Sequence, residues 1–390
     1  MSVNKVTAEL KPYPMEELSN IRKELVAKGI PVFDFGTGDP KIPTWPGIRN
    51  AVKEAIGEVS SYPGINGTDE LRASHLNYLK RRFNIDADTI DIIPTRGSKE
   101  AVFHIALSLV GRAGGKRHIV YPDPGYPVYR SSTQFAGGLP YPVALKPENN
   151  YLLEPWNLPA HIQKDAAALW VNYPHNPTGA MAPIEYFERL VAWAKETNTV
   201  ILSDDCYVDI YDANLAPEDR PRSILEITGE MVLSFCSLSK RSGLTGYRAG
   251  FIAGDKKIIS AIRRARANMG LGQPNFIQVG AQTAWDDDEH VENRRVIFTE
   301  RMEKLGGALM ELGMIEEIPK ATFYLWAKIP DRFKGNDIKF CKGLAEKGVI
   351  ASPSQWLSES IKGYTRFACV PDLEELDEAI EIIKEYVQKG

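Results

Sequence analysis

A chain of 390 residues with 43% hydrophobic and 25% charged residues, 31 Gly and 26 Pro excludes a disordered, collagen-like or fibrous protein. The length predicts two or three domains at about 100–200 residues each, and it is ample to bury a core without metal or disulfide staples. The formal net charge of -4 argues against a nucleic-acid or anionic-membrane surface, and the basic run Arg263, Arg264 and Arg266 reads as a solvated helix face.

In chain order, the N-terminus carries no apolar signal core, and no apolar run approaches the roughly 18 residues of a membrane span. Cys206, Cys236, Cys341 and Cys369 form no C-x-x-C pair. They read as reduced, mostly buried thiols of a cytoplasmic protein. The first dozen residues read as an arm ending at Pro12 and Pro14. Helical spacing at Leu18, Ile21 and Leu25 predicts a helix over 16–28, closed by Gly29. A short strand over 31–35 then runs into a turn at Gly36, Thr37, Gly38, Asp39 and Pro40.

From 47 to 285 helical patterns alternate with short apolar runs at 118–121, 167–173, 199–203, 231–236 and 250–253. Such runs predict an α/β fold with a mostly parallel sheet covered on both faces. Beyond 286 the pattern changes to a long charged helix over 287–312, strands over 323–329 and 364–369, and a helix over 373–389. The predicted division is an arm and joining segment at 1–46, a large domain at 47–285 and a small α+β domain at 286–390.

In an open α/β sheet, ligands bind outside the carboxyl ends of the strands. The residues there are Gly97, Ser98 and Lys99; Tyr126; Asn176 to Gly179; Asp204 with Tyr207; and Ser237 to Lys240. Polar or glycine chemistry after every strand predicts one shared pocket. Lys240 stands just past an apolar strand, beside Ser239, with Arg248 eight residues on. That suggests a Schiff-base lysine beside an anion, since a lysine amine can form an imine. Each residue also has an ordinary reading: a surface lysine at 240, a helix cap at Ser98, an ion-pair arginine at 248, an N-cap at Asp204. Loop packing at Tyr126, a core tyrosine at 207, an Asn-Pro turn at 176 and a buried Arg–Asp pair at Arg366 are equally ordinary. The six histidines have no ligand spacing and no Walker A or H-E-x-x-H sequence occurs, so no metal site is expected. His175, beside the Asn-Pro-Thr-Gly turn, is a candidate for the pocket lining, but reads rather as a surface histidine or one behind the pocket wall.

Taken together and in order, Asn176-Pro177-Thr178-Gly179, Asp204-Asp205-Cys206-Tyr207, the segment around Lys240 and Arg366 resemble the class I/II aminotransferases, fold-type I enzymes dependent on pyridoxal 5'-phosphate. The resemblance runs from Gly38 to Arg366. It implies the fold-type I architecture and a ping-pong transfer between an amino acid and a 2-oxo acid. Lys240 is then the cofactor lysine and the acid–base group, and Asp204, rather than Asp205, is the partner of the pyridine nitrogen. Tyr207 and Asn176 bond the ring's phenolic oxygen, and Tyr126 stacks on the ring. The helix start at Gly97, Ser98 and Lys99 holds the phosphate together with Ser237, Ser239 and Arg248. Arg366 takes the substrate α-carboxylate, with Asn176 also on the substrate side and Gly38 leaving room for that carboxylate. Tyr62 reaches the phosphate of a second subunit, so the resemblance implies a homodimer with shared sites.

Within the family, residues 95–100, 203–207, 239–251 and 286–291 with Arg294 and Arg295 look most like N-succinyldiaminopimelate aminotransferases of lysine biosynthesis. The implied reaction pairs N-succinyl-LL-diaminopimelate with 2-oxoglutarate. Aspartate, alanine and free LL-diaminopimelate are alternative donors, and a lyase or decarboxylase on the same scaffold is a further one. Two stretches depart from the pattern: Arg130 follows Tyr129 where an acidic residue is expected, and Tyr173-Pro174-His175-Asn176 replaces Ser-Pro-Gly-Asn. A cofactor-sensing transcription regulator would need an added DNA-binding domain, for which the resemblance, beginning near residue 13, leaves no room.

Overall fold

The computed structural model describes residues 3–10, 14–111 and 114–388. The N-terminal arm carries a short helix, Lys5–Ala8, capped by the Asn4 side chain; its expected end at Pro12 lies outside the described residues. The helix expected over 16–28 spans Pro14–Ala27, and the strand expected over 31–35 contracts to β1, Phe33–Asp34.

Among the described residues the largest sheet has seven strands: β2 (Asp91–Thr95), β3 (His118–Asp123), β4 (Leu139–Ala144), β5 (Ala166–Val171), β6 (Val200–Asp204), β7 (Val232–Ser237) and β8 (Gly250–Gly254). Their order is β2-β8-β7-β6-β5-β3-β4. The β4-β3-β5-β6-β7 run is parallel, whereas β8 is antiparallel to both β7 and β2. The central strands read as continuous apolar runs because successive side chains enter different cores. Ala168 and Trp170 of β5 join Leu202, Leu233, Phe235 and Ile252 on one face. Leu169 and Val171 join Ile201, Val232 and Phe251 on the other.

The edge strands β2 and β4 are absent from the sequence expectation, and both contain proline. Pro94 lies in β2, and Pro140 and Pro142 in β4. Proline cannot donate to a ladder, so it lowers the strand signal and survives at edges. Leu139 N and Leu145 N donate to the carbonyls of Arg117 and Asp123, each at 2.8 Å. Odd positions of β4 therefore face β3, and its prolines occupy the outward positions.

A third core gathers Phe35, Leu305, Leu325, Phe340, Phe367 and Leu376. Around it lie β9 (Tyr324–Lys328), β10 (Val349–Ile350), β11 (Ser352–Pro353) and β12 (Tyr364–Ala368). A three-stranded antiparallel sheet has the order β11-β12-β9, and β1 pairs in parallel with β10. That pairing is how the N-terminal segment joins this region. The helices expected over 287–312 and 373–389 span Glu289–Glu311 and Leu373–Gln388. Position 389 lies outside the described residues.

The basic run is not a solvated face throughout. Arg266 is buried and grips Glu100 with both terminal nitrogens, at 2.9 and 2.8 Å, and Arg263 reaches Asp91 at 2.9 Å. A buried guanidinium is tolerated here because a bidentate carboxylate meets it. Among the described residues, no helix is long and apolar enough to cross a membrane, and no group of three or more His, Cys, Asp or Glu could hold a metal ion.

Candidate active site

A cavity of about 510 Å³ lies between the carboxyl ends of the large sheet and the β9-β11-β12 sheet. The reversal of β8 matters for its construction. The chain leaves β7, makes a one-turn helix, Leu238–Arg241, and returns as β8. Lys240 and Arg248 therefore belong to one short connection above the sheet's carboxyl end, and both line the cavity. The Lys240 amine donates to the Gly38 carbonyl. A Cβ at Gly38 would lie 2.1 Å from the Tyr324 hydroxyl, so only glycine fits, and the close neighbour is this tyrosine.

Asp204 ends β6 and is 6% exposed. Its Oδ2 accepts from the Tyr129 hydroxyl at 2.8 Å, and its carbonyl accepts from Asn172 Nδ2 at 2.6 Å. Oδ1 is buried with no hydrogen-bond partner. Burial raises the Asp204 pKa above the ordinary carboxylate range, opposed by neighbouring Cys206 and by the Tyr129 hydrogen bond. An orphaned buried acceptor is costly and calls for a donor. Asp205 points away from the cavity: the hydroxyls of Ser203 and Ser234 hold it, and burial pushes its pKa up to about 7.

Arg366 on β12 is 6% exposed. Its Nη1 donates to Asn176 Oδ1 at 3.1 Å and its Nη2 to the Gly36 carbonyl at 2.8 Å, while the guanidinium lies 4.5 Å from the Tyr324 ring centroid. Its Nε has no partner. Among the described residues no carboxylate forms an ion pair with Arg366, so the buried Arg–Asp alternative is absent and the charge suits a carboxylate from outside the chain. The backbone N–H of Asn176 donates to Asn172 Oδ1 at 2.9 Å. The hydroxyls of Tyr207 and Tyr324 pair at 2.9 Å, and burial together with Tyr324 drives the Tyr207 pKa well up.

At the other end of the cavity, the helix Ser98–Leu109 starts at Gly97 (φ 75°) with no side-chain cap. Ser98 is therefore not the cap, and its hydroxyl accepts from the Cys206 thiol at 3.0 Å. A Cβ at Gly97 would lie 2.7 Å from Arg248 Nη2, so the guanidinium sits against the helix start. A cation beside an uncapped helix N-terminus favours an anion. Ser239, Lys99 and Tyr126 also line the cavity.

Gly97 is itself off the cavity wall, and two further expected residues stand elsewhere. Ser237 caps the one-turn helix, accepting from Ser239 N at 3.2 Å, and is off the cavity wall. Tyr62 is fully exposed and also off the wall. His175 is buried behind the wall, not on the surface. It bonds Thr178 Oγ1 at 2.8 Å and the Pro124 carbonyl at 3.1 Å, and burial lowers its pKa to about 4. Sequence reasoning misses Tyr324, Cys206, Asn172, Trp356 and Leu357 as cavity residues. Asn172 has a usable signal, as a polar residue closing an apolar run.

The sequence profile described as "Aminotransferase class I and II" matches residues 30–383. The chain belongs to this family. It is similar to the LL-diaminopimelate aminotransferase of Aquifex aeolicus, 36% identical over 381 residues covering 96% of each chain. Among solved structures it resembles substrate-bound BacF from Bacillus subtilis, with TM-score 0.90, 27% identity and coverage of 99% of this chain and 98% of that one. A probable N-succinyldiaminopimelate aminotransferase from Thermus thermophilus gives TM-score 0.86 at 25% identity, covering 95% of this chain and 99% of that one. This aminotransferase is accordingly a pyridoxal-phosphate enzyme with the fold-type I architecture. The cavity fits that cofactor on two observations: a buried acceptor without a donor at Asp204, and a cationic, uncapped helix start at Gly97.

Proposed function

We propose that this aminotransferase moves the amino group of LL-diaminopimelate to 2-oxoglutarate, a step of lysine biosynthesis. The observation that carries the reading is the likeness to LL-diaminopimelate aminotransferases along 96% of both chains. It favours the unsuccinylated donor over N-succinyl-LL-diaminopimelate, to which the sequence motifs point. The N-succinyl donor remains the second reading, supported by the Thermus thermophilus structure.

In this reading Asp204, with its unpartnered Oδ1, would hold the pyridine nitrogen, and Ser98, Lys99, Ser239, Arg248 and the Gly97 helix start would hold the phosphate. Tyr126 would hold the ring, and Tyr207 and Asn176 would bond its phenolic oxygen. Ser237 contributes indirectly by capping the turn that carries Ser239 and Lys240. When bound, pyridoxal phosphate supplies an electron sink for negative charge developing at the substrate Cα. Lys240 would hold the cofactor, and its amine would take and return the Cα proton. Gly38 steadies that amine through its carbonyl. Arg366 binds the α-carboxylate, and Asn176 fixes the guanidinium to the end of β5. Tyr62 stands exposed, off the cavity of its own chain. We infer that it completes the site of a second copy in a homodimer, and that the protein works in the cytoplasm. The division at 1–46, 47–285 and 286–390 is supported by the separate core around Phe35, Leu325 and Phe367.

The test is a half-reaction screen followed through the cofactor spectrum. LL-diaminopimelate is expected to give the highest kcat/KM and to leave the amine form of the cofactor. A higher value for N-succinyl-LL-diaminopimelate, aspartate or alanine would replace the donor, and return to the starting spectrum without 2-oxo acid would favour a lyase.

A further inference from the structure

The segment between β11 and β12 is gripped by a carboxylate at each end. On its own side, fully buried Asp337 accepts from the Ser354 hydroxyl and the Gln355 amide. Across the cavity mouth, Asp123 at the end of β3 accepts from Glu359 N at 3.0 Å, Ser360 N at 3.1 Å and Ser360 Oγ at 2.5 Å. Two consecutive N–H groups turned onto one carboxylate make an anion nest. A carboxamide has one acceptor oxygen and would set N–H against N–H. Beside the nest, Gly125 N donates to the Leu357 carbonyl at 2.8 Å, and Arg130 pairs with Glu359. The segment is also braced internally. Leu357 N and Ser358 N both donate to the Ser354 carbonyl at 2.9 Å, and Ile361 N donates to Ser358 Oγ at 2.8 Å.

Between the two carboxylates lie Trp356 and Leu357, both on the cavity wall, and Ser352 pairs in register with Arg366. Asp123 is 4% exposed and is not on that wall. We propose that Asp123 is a positioning residue for donor specificity. By clamping residues 354–361 to the end of β3, it holds Trp356 and Leu357 as the wall met by the substrate beyond its α-carboxylate. An indole and a leucine suit a chain of methylenes, and the Arg130 cation near this rim is already matched by Glu359. The clamp therefore favours a donor with a long methylene chain over a short one. This rests on the reading that Arg366 takes the α-carboxylate.

The experiment compares Asp123→Asn with the unaltered holoenzyme, using LL-diaminopimelate and L-alanine as donors and acrylamide quenching of Trp356 fluorescence. The Trp356 signal is isolated by subtracting the spectra of matched Trp356→Phe proteins. Loss of a charge-assisted acceptor is expected to raise KM for LL-diaminopimelate about tenfold, with kcat changed less than about threefold and the alanine KM unmoved. Trp356 is expected to become more accessible to quencher. Ser360→Ala, which removes one donor, should shift the same KM about threefold. Unaltered quenching in Asp123→Asn overturns the clamp whatever the donor. Equal KM shifts for both donors, or a fall in kcat alone, overturn the specificity role. If the unaltered enzyme uses neither donor, the proposed function fails while the quenching result still decides the clamp.

Discussion

The two walls of the cavity are built on different principles. On the large-sheet side, Asp204 and the turn bearing Lys240 follow directly from strands buried on both faces, and their neighbours are fixed by the ladder. On the opposite side Arg366 stands in the β11-β12-β9 ladder, but the stretch carrying Trp356 is placed by hydrogen bonds crossing between distant segments: Gly125 to Leu357, and Glu359 and Ser360 to Asp123. A wall made by strand ends has its geometry set by the ladder. A wall made by crossing polar contacts can be retuned one contact at a time. Under the proposed function, that division would let one wall hold an unchanging cofactor while the other meets the variable part of the substrate.

Four perturbations test the contrast. The largest effect is expected from Lys240→Ala, which should lower kcat by at least about 10³-fold and abolish the visible absorption band of the lysine-bound cofactor. An unchanged band would remove Lys240 from the cofactor wall. Arg366→Ala should act mainly through binding, raising KM for amino donors by roughly 10–100-fold, as expected for losing a charge-assisted fork. A wild-type KM would take the α-carboxylate away from this side.

Asp205 sharpens the comparison through pH. Its folded pKa of about 7 lies above the ordinary value of 3.8, so between those values the folded state keeps a proton that the unfolded chain has lost. Unfolding free energy should therefore fall as pH rises through that window, by up to about 1.4 kcal/mol per unit. The neutral Asp205→Asn variant should show a flatter Tm between about pH 5 and 7.5, and parallel curves would refute the buried, protonated carboxyl. The smallest effect belongs to Ser237→Ala. Loss of a cap should cost about 1 kcal/mol of stability while cofactor affinity changes less than about twofold. A tenfold weaker affinity would put this hydroxyl on the phosphate after all.

The contrast also explains what can be read from the chain. Strands β5, β6 and β7 announce themselves because burial on both faces demands unbroken apolar runs, and the polar residue closing each run marks the cavity end of the strand. Strands β2 and β4 stay hidden because Pro94, Pro140 and Pro142 mimic loop signals. Lys240, Asp204 and Arg366 are legible as a set through the family resemblance. Tyr129 is not, because its pairing with Asp204 spans 75 positions and nothing local marks it. Tyr324 sits unremarked inside an expected strand, and its place shows only in contacts with the distant residues Gly38, Tyr207 and Arg366. Arg266 misleads for the opposite reason: a run of like charges looks exposed until Glu100, 166 positions away, is brought against it.

The prolines of β4 have a consequence beyond the folded chain. A free sheet edge recruits other strands through its unused N–H groups, and growth at such an edge is how sheet proteins aggregate. With Pro140 and Pro142 on the outward positions, this edge offers an incoming strand two fewer donors where it would begin to pair. Replacing both prolines with valine would leave the cavity untouched and open the protein to self-association along that side.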